Sequence, residues 1–305
     1  MIMSRNKLFE RLKGYRNLPE GFYHLTFDSI EDGQLFHNDE EFSQGMNSVA
    51  LGQLKHKLTI IVFNWMINHG HFLVKSTGAQ CVDFFLYEKR RLNSMLVSGG
   101  HKTLDDDYGF KLVRIESEQQ LEDTIIYICR NPYKAMQDIT PTGYIWGTNY
   151  LIFSNLGKII SKVPVSELQS TMLRKILMTR EVIPNNYLFN KEMGFILPES
   201  YTKHEIAMKV LKSSSNYCNK LLRNIDAYIK IAEGIGETVR IDDKELDYII
   251  WSIVRNQFRA NSVAELGTDR KCQLAVMLRK KYYIEPKRIC RKVGLPLATV
   301  QNLIG

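Results

Sequence analysis

From Gly21 to Ile128 the chain alternates between segments with the two-residue period of a strand and segments with the 3.6-residue period of a helix, which limits the folds open to it. Phe22-Tyr23-His24-Leu25-Thr26-Phe27 is rich in aromatic and β-favouring residues and predicts a first strand. Asn38-Asp39-Glu40-Glu41 supplies a cap and an acidic first turn for a helix with Phe42, Met46, Val49 and Ala50 on one face, ending between Gly52 and Lys57. Leu58 to Met66 is a continuous β-rich run, as a strand covered on both faces requires. Turn residues Asn68 to Gly70 lead into His71-Phe72-Leu73-Val74 and make a hairpin. A second helix fits Val82 to Met95, Phe110 to Ile115 alternates as a fourth strand, and Ser117-x-x-Gln120 is a capping box opening a third helix through Ile128.

The order β-α-β-β-α-β-α predicts an α+β domain, a ferredoxin-like βαββαβ core with an antiparallel sheet and helices on one face. After Ser154 helical periodicity takes over, with Val165 to Thr179, His204 to Lys230 and Asp242 to Phe258 as long candidates, so an all-α C-terminal region is expected. Three domains follow: residues 1–154, a helical middle region at 155–240, and residues 241–305. The longest nearly apolar run, Leu58 to Ile67, is about half the roughly 20 residues of a membrane span. Residues Met1 to Arg16 lack the apolar stretch of a secretory signal, and a cytoplasmic protein without a membrane partner is expected. Five widely spaced cysteines fit neither a disulfide framework nor a zinc knuckle and read as buried thiols.

The net charge of +8 is unevenly placed: residues 1–155 carry 16 Lys/Arg against 18 Asp/Glu, whereas residues 156–305 carry 25 against 15. A basic C-terminal half points to a polyanion, with nucleic acid foremost.

The chemistry concentrates in Asn68-His69-Gly70-His71-Phe72. Two histidines one residue apart at the start of a strand share a face, and converging imidazoles make two-thirds of a facial metal site. In Leu121 to Asn131 the apolar stripe leaves Tyr127 and Asn131 as i and i+4 neighbours on its flank. Pro132 biases Asn131 away from helical geometry, so that relation is expected to be stretched at the helix end.

His69-Gly70-His71, followed by Tyr127-Ile128-Cys129-Arg130-Asn131-Pro132-Tyr133-Lys134-Ala135, resembles the HUH single-tyrosine transposases of the IS200-like superfamily, particularly the REP-associated tyrosine transposases. Tyr23-His24-Leu25-Thr26 resembles that family's opening strand. Gln34-Leu35-Phe36 with Asp39-Glu40-Glu41-Phe42 resembles its first helix entry, and Tyr144-Ile145-Trp146-Gly147-Thr148-Asn149-Tyr150 its closing segment. The resemblance covers roughly residues 20–153. The chain departs from the pattern at Gly70, where a hydrophobic residue is usual, and at Ile67, where proline is usual. The basic stretch before the tyrosine helix is reduced to Lys111 and Arg114.

What the resemblance implies is a transposase that nicks and rejoins single-stranded or hairpin DNA, a DNA-recombination activity. His69, His71 and Asn131 would hold one Mg²⁺ or Mn²⁺, and Tyr127 would attack to give a 5′-phosphotyrosine. Lys111, Arg114 and Arg130 are the expected DNA contacts of this half. A single tyrosine forms one linkage at a time, so strand transfer needs a homodimer, sequential turns, or simple nicking and rejoining. The alternative is a non-catalytic, domesticated transposase-derived DNA-binding regulator.

Near the C-terminus, Thr268-Asp269 can cap a helix, Pro286 can open a second through Lys292, and Gly294 gives a turn before Pro296 opens a third. The cadence resembles a helix-turn-helix of the DnaA C-terminal or repressor type. Arg270, Lys271, Arg279, Lys280, Lys281, Lys287, Arg288, Arg291 and Lys292 crowd this segment, with phosphate contact as the expected role.

Overall fold

Four of the predicted strands form one antiparallel sheet: β1 (Gly21–Phe27), β2 (Thr59–Trp65), β3 (Gly70–Ser76) and β4 (Phe110–Ile115), in the order β2-β3-β1-β4. The structure, a computed structural model, describes residues 2–28, 33–135, 140, 142–222, 229, 232–233, 241 and 243–304. It is an α+β chain of two compact units, residues 1–223 and 224–305. Among the described residues no helix is long and apolar enough to cross a membrane.

Helix α1 (Ile2–Arg16) precedes the sheet, α2 (Asp39–His56) joins β1 to β2, and α3 (Gly78–Ser98) joins β3 to β4. Asn38 caps α2 by accepting from the Glu41 N–H, and Thr77 with Gln80 forms a capping box on α3. Phe27, Trp65 and Phe72 cluster on one face of the sheet, where Phe27 meets Phe84 and Phe85 of α3 and Phe72 meets Phe84. Helix α4 (Glu118–Ala135) packs on β2 and β3 from the opposite face. The two helices inside the βαββαβ order, α2 and α3, thus share one face, and α4, which follows that order, covers the other. Six of the seven β2 residues are buried, and a strand apolar on both faces must be covered on both.

The middle region also departs from expectation, because residues 155–222 are neither all helical nor a separate domain. Beyond α5 (Leu156–Ile159), the strands β5 (Val163–Pro164), β6 (Leu188–Asn190) and β7 (Phe195–Ile196) form a second antiparallel sheet. The expected helix from Val165 is limited to α6 (Ser170–Leu177). That from His204 is broken into α7 (His204–Leu211) and α8 (Ser214–Leu221), where Lys212 takes a positive φ and Ser213 caps the new start. Phe189, Phe195, Ile196 and Tyr201 belong to the same apolar core as the four-stranded sheet. Asn47, buried on α2, fastens the β6–β7 hairpin by donating to the Gly194 carbonyl at 2.8 Å and accepting from the Ile196 N–H at 2.9 Å. A buried amide with both ends satisfied fixes one docking register, so no boundary falls at residue 154.

The second unit contains α9 (Asp243–Asn256), α10 (Thr268–Tyr282), α11 (Pro286–Val293) and α12 (Leu297–Ile304) around Leu246, Ile250, Leu274, Leu278, Ile289 and Val300. Gly294, at φ 72°, ends α11 in the left-handed conformation that the predicted turn requires.

One buried acid tests the packing of α2 on α3. Glu88 has no exposed surface, and a Cβ at Gly52 would stand 2.6 Å from its carboxyl oxygen. Burial raises its pKa from 4.5 to about 8, against smaller lowering effects of a Ser48 hydrogen bond and the Arg91 charge. The folded state therefore keeps a proton that the unfolded chain loses. Its stabilising effect is complete below pH 4.5 and declines as pH rises through about 8. Relative to Glu88→Gln, the wild type is expected to lose on the order of 3 kcal/mol between pH 4.5 and 7. Paired urea titrations at several pH values check this; parallel curves would contradict it.

Candidate active site

The face of the sheet under α4 carries a row of polar side chains set by strand register. Asn64 on β2 lies opposite His71 on β3, His71 opposite Thr26 on β1, and Thr26 opposite Lys111 on β4. The two-residue period puts His24 on the same face as Thr26. His24 Nε2 stands 3.3 Å from His71 Nδ1, and Thr26 Oγ1 stands 3.3 Å from His71 Nδ1 and 3.4 Å from His24 Nε2.

Tyr127 projects from α4 into this row. Its ring meets His71 edge-on with centroids 5.2 Å apart and His24 at 5.8 Å, while the His69 and His71 rings lie 4.8 Å apart at 87°. The structure thus brings His69, His71 and Tyr127 together. His24 and Thr26 join them, though sequence reasoning did not place either in the site; the usable signal was the shared parity of His24 and Thr26 on one strand.

Asn131 follows Tyr127 by one turn within α4, which runs unbroken to Ala135 with Pro132 inside it. The expected stretching before Pro132 does not occur, and the reason is local. Pro132 has no N–H to give the carbonyl of Ile128, so that carbonyl loses its helical partner. Asn64 replaces it, donating from Nδ2 to the Ile128 oxygen, and Asn149 donates to the Cys129 carbonyl at 2.7 Å. The carbonyl next to Tyr127 is thereby tied to the strand residue opposite His71. The 144–150 segment completes the frame along the outer edge of β2. Trp65 donates to the Trp146 carbonyl at 2.9 Å, Thr148 donates to the Phe63 carbonyl at 2.9 Å, and the Tyr144 hydroxyl donates to the Trp65 carbonyl.

His24 and His71 are neutral imidazoles. Burial, with Lys111 nearby, lowers His24 from 6.5 to about 3; burial, then His69, His24 and Lys111, hold His71 well below the ordinary value. His69 Nδ1 stands 2.7 Å from Asn68 Oδ1 and donates to it. His71 meets His24 and Thr26 through Nδ1. Imidazole nitrogens and an amide oxygen are donor types that suit a divalent cation with open positions. Tyr127 is 4% and His71 2% exposed, so the site is closed over.

Gly70, between the histidines, has a packing cause. It lies opposite Trp65, and a Cβ there would fall 2.4 Å from the indole ring. Trp65 fills the space that the usual hydrophobic residue would take.

The basic residues divide. Lys111 sits in the polar row, but Arg114 is three positions along β4, on the other face, paired with Glu116 at 3.3 Å. Arg130 is only 7% exposed. Arg130 is thereby corrected as an open DNA contact, by the inward face of α4, whereas Arg114 is exposed but on the face of the sheet away from Tyr127. In the second unit, Arg288 and Arg291 bind Asp243 at 2.7 and 3.1 Å, and Lys292 binds Asp247 at 2.6 Å, which commits them to α9. Arg270 donates to the Phe258 carbonyl at 3.3 Å. Lys280, Lys281 and Lys287 are exposed, and Lys271 and Arg279 are half-buried.

Comparison with protein-family models, with curated proteins and with solved structures gave no match.

Gly70→Val is expected to destabilise the protein by about 1–3 kcal/mol through overpacking against Trp65. Adding Trp65→Leu should recover part of that loss in a denaturant-melt double-mutant cycle; purely additive losses would show that the indole is not the obstacle.

Proposed function

We propose that the chain is a metal-dependent single-stranded DNA strand transferase on a ferredoxin-like HUH scaffold, with Tyr127 as its nucleophile and transposition as its biological setting. The observation that carries this reading is the meeting of Tyr127 with His71, beside His69, across a sheet that unites residues far apart in sequence. The strand order β2-β3-β1-β4 with its βαββαβ connections supports the scaffold.

His69, His71 and Asn131 are the residues that would hold Mg²⁺ or Mn²⁺, which supplies charge neutralisation at the scissile phosphate. Tyr127 attacks phosphorus through its phenolic oxygen as the bond to the 3′ oxygen breaks. The phenol loses its proton and the leaving 3′ oxygen gains one. One P–O bond replaces another, so neither oxidant nor nucleotide is consumed, and the free 3′-hydroxyl can reverse the step at a new end. Lys111, at the end of the polar row, favours phosphate nearby. Asn64 acts as a positioning residue by holding the helix turn that carries Tyr127.

A second reading is favoured by the burial of Tyr127: a non-catalytic DNA-binding regulator on the same scaffold, which needs no accessible nucleophile. Incubation with tiled single-stranded and hairpin oligonucleotides in Mg²⁺ or Mn²⁺ separates the two. The transferase gives a covalent protein–DNA species on a denaturing gel that Tyr127→Phe abolishes. Hairpin binding with no such species, in a protein that binds no metal at His69 and His71, favours the regulator.

For the second unit we propose phosphate contact through Lys271, Arg279, Lys280, Lys281 and Lys287. Joint neutralisation of Arg279, Lys280 and Lys281 should weaken DNA binding broadly. It should also reduce the slope of log affinity against log salt by about 0.7–0.9 for each phosphate left without its cation. An unchanged salt titration would remove this role.

A further inference from the structure

A second cluster of ligating side chains lies outside the tyrosine site. His37 precedes α2, Glu41 lies in its first turn, and His101 follows α3. Their donor atoms all fall within 4.8 Å of one another. Glu41 Oε2 is 3.0 Å from His37 Nδ1, and Glu41 Oε1 is 3.0 Å from His101 Nε2. The two imidazoles stack with centroids 3.5 Å apart.

Three features make this a built arrangement. The Glu41 carboxylate is 5% exposed and is fixed by the His37 backbone N–H at 2.7 Å. The backbone at Gly99 passes against the cluster, where a Cβ would stand 2.7 Å from the His101 ring and 2.9 Å from Glu41 Oε1. The histidine side chains, 30% and 29% exposed, leave one side open to solvent.

We propose that His37, Glu41 and His101 bind a first-row divalent transition ion, Zn²⁺ foremost, that clasps the end of α3 to the start of α2. A tetrahedral zinc with bonds of about 2.0–2.1 Å holds its donor atoms about 3.3 Å apart, against 3.0 Å from each histidine nitrogen to a Glu41 oxygen and at most 4.8 Å within the group. Water fills the fourth position from the open side. Two imidazoles and one carboxylate select a transition ion over Mg²⁺. The inference does not rest on the DNA reading, because no residue is shared with the tyrosine site.

The test titrates the full-length protein with Co²⁺, read by visible absorption, and with Zn²⁺ in competition, in a His69→Ala background so that the strand histidines contribute little. One ion with tetrahedral or five-coordinate bands is expected. His101→Gln keeps a donor toward Glu41 but removes a good ligand, so it and His37→Ala should each weaken affinity by at least about 10–100-fold, the range seen for loss of outer-shell partners. Zn²⁺ should raise the melting temperature of the parent and not of either variant. No uptake at micromolar ion by a folded parent, or equal affinity in parent and both variants, would overturn the site.

Discussion

Pro132 deprives the carbonyl of Ile128 of its helical partner, and the arrangement of the tyrosine site follows from how that carbonyl is satisfied instead. A proline inside a helix costs about 3 kcal/mol when its consequences are left unmet. Here the Asn64 amide meets the free carbonyl from a strand already paired with His71. The helical turn bearing Tyr127 is therefore referenced to the histidine strand by a buried hydrogen bond as well as by apolar contact, which alone would tolerate sliding. Asn149, on the segment that closes the edge of β2, holds the next carbonyl and adds a second point of reference.

The same sheet serves two chemistries because its faces alternate. Phe27, Trp65 and Phe72 make one side an aromatic core with α3, and His24, Thr26, Asn64, His71 and Lys111 make the other side polar. Gly70 belongs to both: its missing side chain admits the Trp65 ring on one face, and its neighbours His69 and His71 serve the other.

Much of this was legible in the sequence wherever the signal was local and long. The four strands and the three helices between and after them came from periodicity, and His69, His71 and Tyr127 from their spacing and type. Strands β5 to β7, of two or three residues, are shorter than any window in which alternation can be counted, so helical periodicity around them dominated the reading. Asn64 gave no signal because its partner is a carbonyl 64 positions away. The strand parity of Arg114 was readable and unused. The pairing of Arg288, Arg291 and Lys292 was not readable, since Asp243 and Asp247 lie on another helix more than forty residues earlier.

Burial sets the electrostatic character of the tyrosine site. Enclosed imidazoles avoid protonation because a cation would lose its hydration there, and Lys111 adds to that penalty. Neutral rings keep their lone pairs at pH values where an exposed histidine would surrender a share of them. On the proposed reading, the row favours an incoming metal cation, whose charge an anionic phosphate can then offset, over a bare proton. The enclosure that preserves those lone pairs also covers Tyr127, so on that reading a DNA strand must open the site before it can meet the phenol. On the proposed reading, metal binding strength and substrate access are opposed through the same burial, and a change that exposes the tyrosine also returns the histidines toward ordinary protonation.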